Sequence, residues 1–174
     1  MQRIITTVLL TLGFTLPALA DVPKALVFPQ PSAEVAHLCQ SITALLASTG
    51  KELEEKLGKA DKVEKVPMTN RHDPKAKDSR NMYRYSDGMV SIYTVPKMNA
   101  SYLEAAIFTQ NFWPDSIPSY IGKTAAQIKQ LLGKPDEVDN ERIAYYCSYE
   151  TNDSINFLLK EQRVYRMVLR NIIE

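Results

Sequence analysis

The chain has 174 residues, 45% of them hydrophobic, with 21 Lys and Arg against 20 Asp and Glu. That length fits one domain or two very small ones. So even a charge balance supplies no basic excess, which excludes nucleic acid and an anionic membrane surface as expected partners.

The chain opens with MQRIITTVLLTLGFTLPALAD. Arg3 gives a positive start, Ile4 to Leu16 an apolar run, Pro17 a helix break, and Ala18-Leu19-Ala20 small residues before Asp21. This is the pattern of a cleavable secretory signal peptide over residues 1–20. Its apolar run of about 13 residues is shorter than the roughly 20 that a membrane-spanning helix needs. The mature chain is therefore expected to start at Asp21 and to work in the periplasm. No cysteine follows the cleavage site, so no lipid attachment is expected. Loss of Arg3 brings the basic count level with the acidic one.

Residues 32–49 carry Val35, Leu38, Cys39, Ile42, Leu45 and Leu46 at spacings of 3 and 4, an amphipathic helix with Ser32 as N-cap. A second short helix is expected over 49–57, closed by Gly58. The charged stretch from Val66 to Arg80 reads as a loop. Strands are expected at 81–86, 89–95 and 102–109, the first two joined by a tight turn at Asp87-Gly88. Asn111-Phe112-Trp113-Pro114-Asp115 links this half to the next, with Trp113 wedged between them. A helix over Thr124–Leu132 follows, ended by Gly133, then strands at 142–149, 154–160 and 163–170.

The two halves echo each other. LGKADKV at 57–63 matches LGKPDEV at 132–138 at Leu, Gly, Lys, Asp and Val. Aligned backwards, Leu53 meets Ile128 and Thr49 meets Thr124. The same order of elements follows in each copy, so the period of about 75 residues indicates a duplicated small domain. The segment itself has a structural explanation. Its Leu closes a helix face, its Gly ends the helix in the left-handed conformation, and its Val leads into a sheet.

A helix, L-G-x-P-x-x-V and three antiparallel strands resemble the SmpA/OmlA-type domain of outer-membrane assembly lipoproteins. Two such units in tandem resemble the β-lactamase inhibitor protein architecture. The resemblance covers about residues 48–109 and 120–174, and it lacks the lipid-attachment cysteine of the outer-membrane family. It implies protein binding without catalysis.

The expected fold is α+β: two tandem units, each helix plus three-stranded antiparallel sheet, like the β-lactamase inhibitor protein. The first repeat, with its N-terminal helix, spans 21–110 and the second 111–174. Cys39 and Cys147 are expected to form a structural disulfide in the oxidising compartment; two buried free thiols are the alternative. The pair has no C-x-x-C spacing. His37 and His72, the two histidines, lack zinc spacing, and no G-x-S-x-G occurs. Neither catalytic residues, metal nor cofactor is expected.

The tyrosines point to binding. Tyr83 and Tyr85 share one strand face, with Arg84 opposite. Tyr145 and Tyr149 share a face with Cys147, with Tyr146 opposite. One set packs on the helices and the other forms an exposed aromatic strip, a composition suited to protein-binding hot spots. The candidate contact residues are Arg71, His72, Asp73 and Lys75 in the loop, with Tyr83, Tyr85, Trp113 and Tyr146. The expected function is a periplasmic protein-binding or inhibitor protein, in one form an immunity protein against a periplasm-acting toxin. An envelope assembly or scaffold factor is the alternative. A hydrolase or ligand carrier would need a deep pocket with convergent polar groups.

Overall fold

A computed structural model describes residues 30–47, 50–70 and 72–171. The signal peptide expected at 1–20 lies outside the described residues, as do Thr49 and the candidate contact Arg71.

Helix α1 (Ala33–Leu46) starts at Ser32, whose hydroxyl accepts from the Val35 N–H. Its buried stripe is Val35, Leu38, Cys39, Ile42 and Leu46. Helix α2 (Gly50–Leu57) is highly charged and buries only Leu53. Helix α3 (Ala125–Leu132) begins with a capping box, in which the Thr124 hydroxyl accepts from the Gln127 N–H and the Gln127 side-chain oxygen accepts from the Thr124 N–H. It buries Ile128 and Leu132.

The strands are β1 (Lys62–Thr69), β2 (Lys77–Tyr85), β3 (Gly88–Val95), β4 (Ala100–Phe108), β5 (Glu137–Val138), β6 (Arg142–Ser148), β7 (Asp153–Lys160) and β8 (Arg163–Arg170). All pair antiparallel in one sheet of order β1-β2-β3-β4-β8-β7-β6-β5. A one-turn 3-10 helix at Pro96–Met98 joins β3 to β4.

This overturns the expected pair of three-stranded units. Each half supplies four strands, and the last strand of each half pairs with the other: Ala105–Phe108 of β4 lies against Met167–Arg170 of β8. The seam merges the halves into one eight-stranded sheet. The expected loop at 66–80 is also corrected. Val66–Thr69 belongs to β1 and Lys77–Arg80 to β2, so that among the described residues only Asn70 and residues 72–76 lie between the two strands. The reason is position. β1 is an edge strand, largely exposed, so its KVEKVPMT sequence needs no apolar alternation to hold its pairing with β2.

The repeated segments occupy matching places. Gly58 and Gly133 both adopt the positive φ that ends a helix. The N–H of Asp61 donates to Arg84 O, and that of Asp136 to Ala144 O. These bonds set the correspondence between copies, placing Tyr85 opposite Tyr145 in the alignment.

All three helices cover one face of the sheet. Their apolar stripes form a single core with Tyr83, Val90, Ile92, Leu103, Phe108, Tyr145, Phe157, Met167 and Leu169, among others. Through this core a chain of seven rings runs from one half to the other: Tyr85, Phe112, Phe108, Trp113, Tyr120, Phe157 and Tyr145. Successive centroids lie 4.3–6.2 Å apart, the separation of favourable aromatic pairs. Cys39 of α1 and Cys147 of β6 form a disulfide. The bond ties the first helix to the second half of the sheet.

Candidate functional site

The sheet face away from the helices carries no layer of its own among the described residues. Pairing registers place its side chains in rows that run across the strands. One row reads Glu64, Met82, Ser91, Ala105, Arg170, Ser154 and Tyr146. The next reads Lys62, Arg84, Met89, Ile107, Val168, Asn156, Ala144 and Glu137. The centre is thus a Met/Ile/Val patch, and Arg and Tyr side chains surround it.

Several charges on this face hold each other. Arg80 forks onto both oxygens of Glu104, with Nε 2.6 Å from Oε2, and the Ser91 hydroxyl donates to the same Oε2 at 2.7 Å. The Glu104 carboxylate raises the Arg80 pKa further above its ordinary value. Arg84 and Lys62 both reach Glu64, at 3.2 and 2.7 Å. Their hydrogen bonds hold that carboxyl below its ordinary value. At the far edge Arg142 meets Glu137 at 2.5 Å, and the Tyr146 hydroxyl donates to the other Glu137 oxygen at 2.5 Å. That bond raises the Tyr146 pKa. Tyr93 donates to Asp78 at 2.6 Å, and Asn70 bonds the same carboxylate oxygen at 2.9 Å.

The structure divides the candidate contact residues. Tyr146 stands on the open face. Tyr83 is on the helix face and buried, its hydroxyl accepting from the Gly50 N–H at 2.9 Å. Tyr85 stacks on Phe112 at 4.3 Å, and burial, aided by Glu54 and Tyr83, pushes its pKa up to about 12. Trp113 is half-buried between Phe108 and Tyr120, with Nε1 donating to Ile117 O at 2.6 Å, so it lies between the halves. His72, Asp73 and Lys75 sit between β1 and β2. Asn70 Oδ1 caps the N–H groups of His72 and Asp73, and Lys97 binds Asp73 at 2.9 Å. These residues are apart from Tyr146, which lies on the opposite half of the sheet.

Tyr149 departs from the expected pairing with Tyr145. β6 ends at Ser148 after a register shift between Tyr146 and Ser148, so the alternation stops before Tyr149. Its ring instead lies 5.5 Å from that of Tyr146, and its hydroxyl donates to Asp136. That bond first, then burial, pushes its pKa up to about 12.

Two features of the surface were not indicated by the sequence. A cleft of about 1070 Å³ opens between α1, the disulfide, the start of β4 and the end of β1, with Gln40, Thr43, Asn70, His72, Tyr102 and Asn171 in its walls. It exists because β8 pairs with β4 only from Ala105 onward, leaving residues 100–104 of β4 without a strand on that side. Arg80, Glu104, Tyr93 and Asn171 are engaged with one another or with the sheet. The second is the pair of arginines on β8, Arg166 and Arg170. Their only sequence signal is the i, i+4 spacing that puts both on one strand face.

Among the described residues, no three His, Cys, Asp or Glu side chains gather as metal ligands. No described helix is long and apolar enough to cross a membrane. Comparison with protein-family models, curated proteins and solved structures finds no match.

Proposed function

We propose that the chain is a secreted periplasmic protein that binds and inhibits a protein target, in one form an immunity protein that neutralises a periplasm-acting toxin. The observation that carries this reading is the uncovered sheet face. Met82, Met89, Ile107 and Val168 are partly exposed at its centre. Tyr146 and several arginines surround them. Tyr and Arg around an apolar centre are the groups that dominate protein interfaces. Ion pairs hold many of the surrounding side chains in place, which lowers the ordering cost of association. The expected export through residues 1–20 would place this face where a periplasmic enzyme or toxin could meet it.

The test is a pull-down from envelope extract with the mature protein as bait. A specific partner whose activity falls on binding is the expected outcome. No protein above background would overturn the reading. Damage to outer-membrane integrity on deletion, with no competitor cell present, would mark an assembly factor instead.

A further inference from the structure

The open face has a charge asymmetry. Three of its other arginines are ion-paired, Arg80 with Glu104, Arg84 with Glu64 and Arg142 with Glu137, and Arg163, at the start of β8, donates to Gly122 O at 2.9 Å. Arg166 and Arg170 are exposed, and neither makes an ion pair among the described residues. Arg166 lies over the Tyr165 ring, 5.5 Å from its centroid. Both arginines belong to β8, one of the two strands at the middle of the sheet.

Their neighbours leave the guanidinium groups accessible. Arg170 stands between Ala105 and Ser154, side chains too short to cover it. Val168 lies between the two arginines on the same face, flanked by Ile107 and Asn156. Four residues of strand separate the arginine Cα atoms by about 13 Å. The centre of this face is therefore an apolar spot with an uncompensated positive charge on each side.

We propose that the inhibitory partner docks on β8 by placing an apolar side chain over Val168 and Ile107, with carboxylates bound to Arg166 and Arg170. This rests on the protein-binding reading and adds the chemistry of the partner: a folded protein with a surface apolar residue between two acidic ones. Arginine binds a carboxylate through two parallel N–H···O bonds, so the pair fixes orientation as well as charge. The partner's acidic patch would also speed encounter at low salt.

The test uses the full mature protein with a photo-crosslinking benzoylphenylalanine at Val168, and a second version with it at Leu131, an exposed residue of α3 on the helix side. Each is irradiated in envelope extract, and the crosslinked peptide is sequenced by mass spectrometry. The proposal expects an adduct at position 168 only, on a partner segment containing Asp or Glu. The adduct should fall about tenfold or more in R166E/R170E and survive in R166K/R170K. Circular dichroism of both variants checks that they fold, as substitutions at exposed positions should permit. An adduct at 168 that withstands charge reversal would overturn the carboxylate proposal and leave the binding reading standing. An adduct at 131 alone would move the interface off the sheet. No adduct at either position would overturn the proposal, and a blank pull-down alongside it would overturn the binding reading too.

Discussion

An added Cβ at Gly88 would stand 1.8 Å from Cδ1 of Phe112, far inside van der Waals contact. Phe112 lies there because its ring stacks on Tyr85, the β2 residue paired with Gly88. Gly88→Ala must therefore displace a ring from the middle of the core. We expect a loss of about 1–3 kcal/mol in stability, the usual cost of overpacking, read as a lower urea midpoint. An unchanged midpoint would show that Phe112 moves freely. The tyrosines make a second residue-scale prediction. Tyr85 and Tyr145 are pushed up to about 12 by burial, and Tyr149 to about 12 by its bond to Asp136. In the unfolded chain they titrate near 10. Their neutral forms thus favour the folded state; this contribution is complete below pH 10 and disappears as pH rises towards 12. Stability should be insensitive to these groups at neutral pH and fall across that alkaline window. Absorbance titration at 295 nm should show part of the tyrosine signal delayed past pH 11 and then released with unfolding. A single titration near pH 10 in folded protein would contradict it. The sequence reveals that Tyr83 and Tyr85 share a face, because alternation is local. It does not reveal that Tyr85 corresponds to Tyr145, or that Tyr149 leaves its strand, because a bulge and a pairing register decide both.

At the scale of elements, the helices are legible where their apolar spacing and caps are strong. α1, with Val35, Leu38, Ile42 and Leu46 buried and Ser32 at its start, falls where the periodicity places it. β1 was hidden by charge, since an edge strand gains little from apolar side chains, and β5 by its length of two residues. The contact between helices is likewise invisible in sequence. The Ser32 hydroxyl donates to Leu132 O at 3.1 Å, so the start of α1 satisfies the open end of α3, 100 residues away. The Cys39–Cys147 disulfide works at this scale, joining α1 to β6 across 108 residues of sequence. Closing a loop of that size removes about 4–5 kcal/mol of freedom from the unfolded state on the chain-entropy model. Reduction should lower the unfolding free energy by a similar amount, measured in urea with and without reductant. A midpoint indifferent to reductant would mean that packing alone fixes α1.

For the molecule as a whole, the echo of L-G-K-x-D-x-V between the halves is legible, but what joins the halves is not. Nothing in either repeat says that β4 and β8 will pair, since each half viewed separately ends on a strand with a free edge. Once they pair, the seven-ring chain and the disulfide also cross between the halves. The protein should therefore unfold as one cooperative unit. Trp113, the single tryptophan, lies at the junction and reports on it directly. Its fluorescence and the far-ultraviolet circular dichroism should trace the same urea transition. Separate transitions would mean that the seam is weaker than the halves.

That seam also imposes an order on biosynthesis. β8 is the last described strand in the chain and one of the two in the middle of the sheet, so the centre is the part completed last. Until residues 163–170 are available, β4 and β7 each present an unpaired edge, and every contact that unites them spans a long stretch of chain. Such topologies fold slowly and leave strand edges open to association with other molecules. A nascent chain that stalls just short of Arg163 would hold seven of the eight strands and lack the one that joins them.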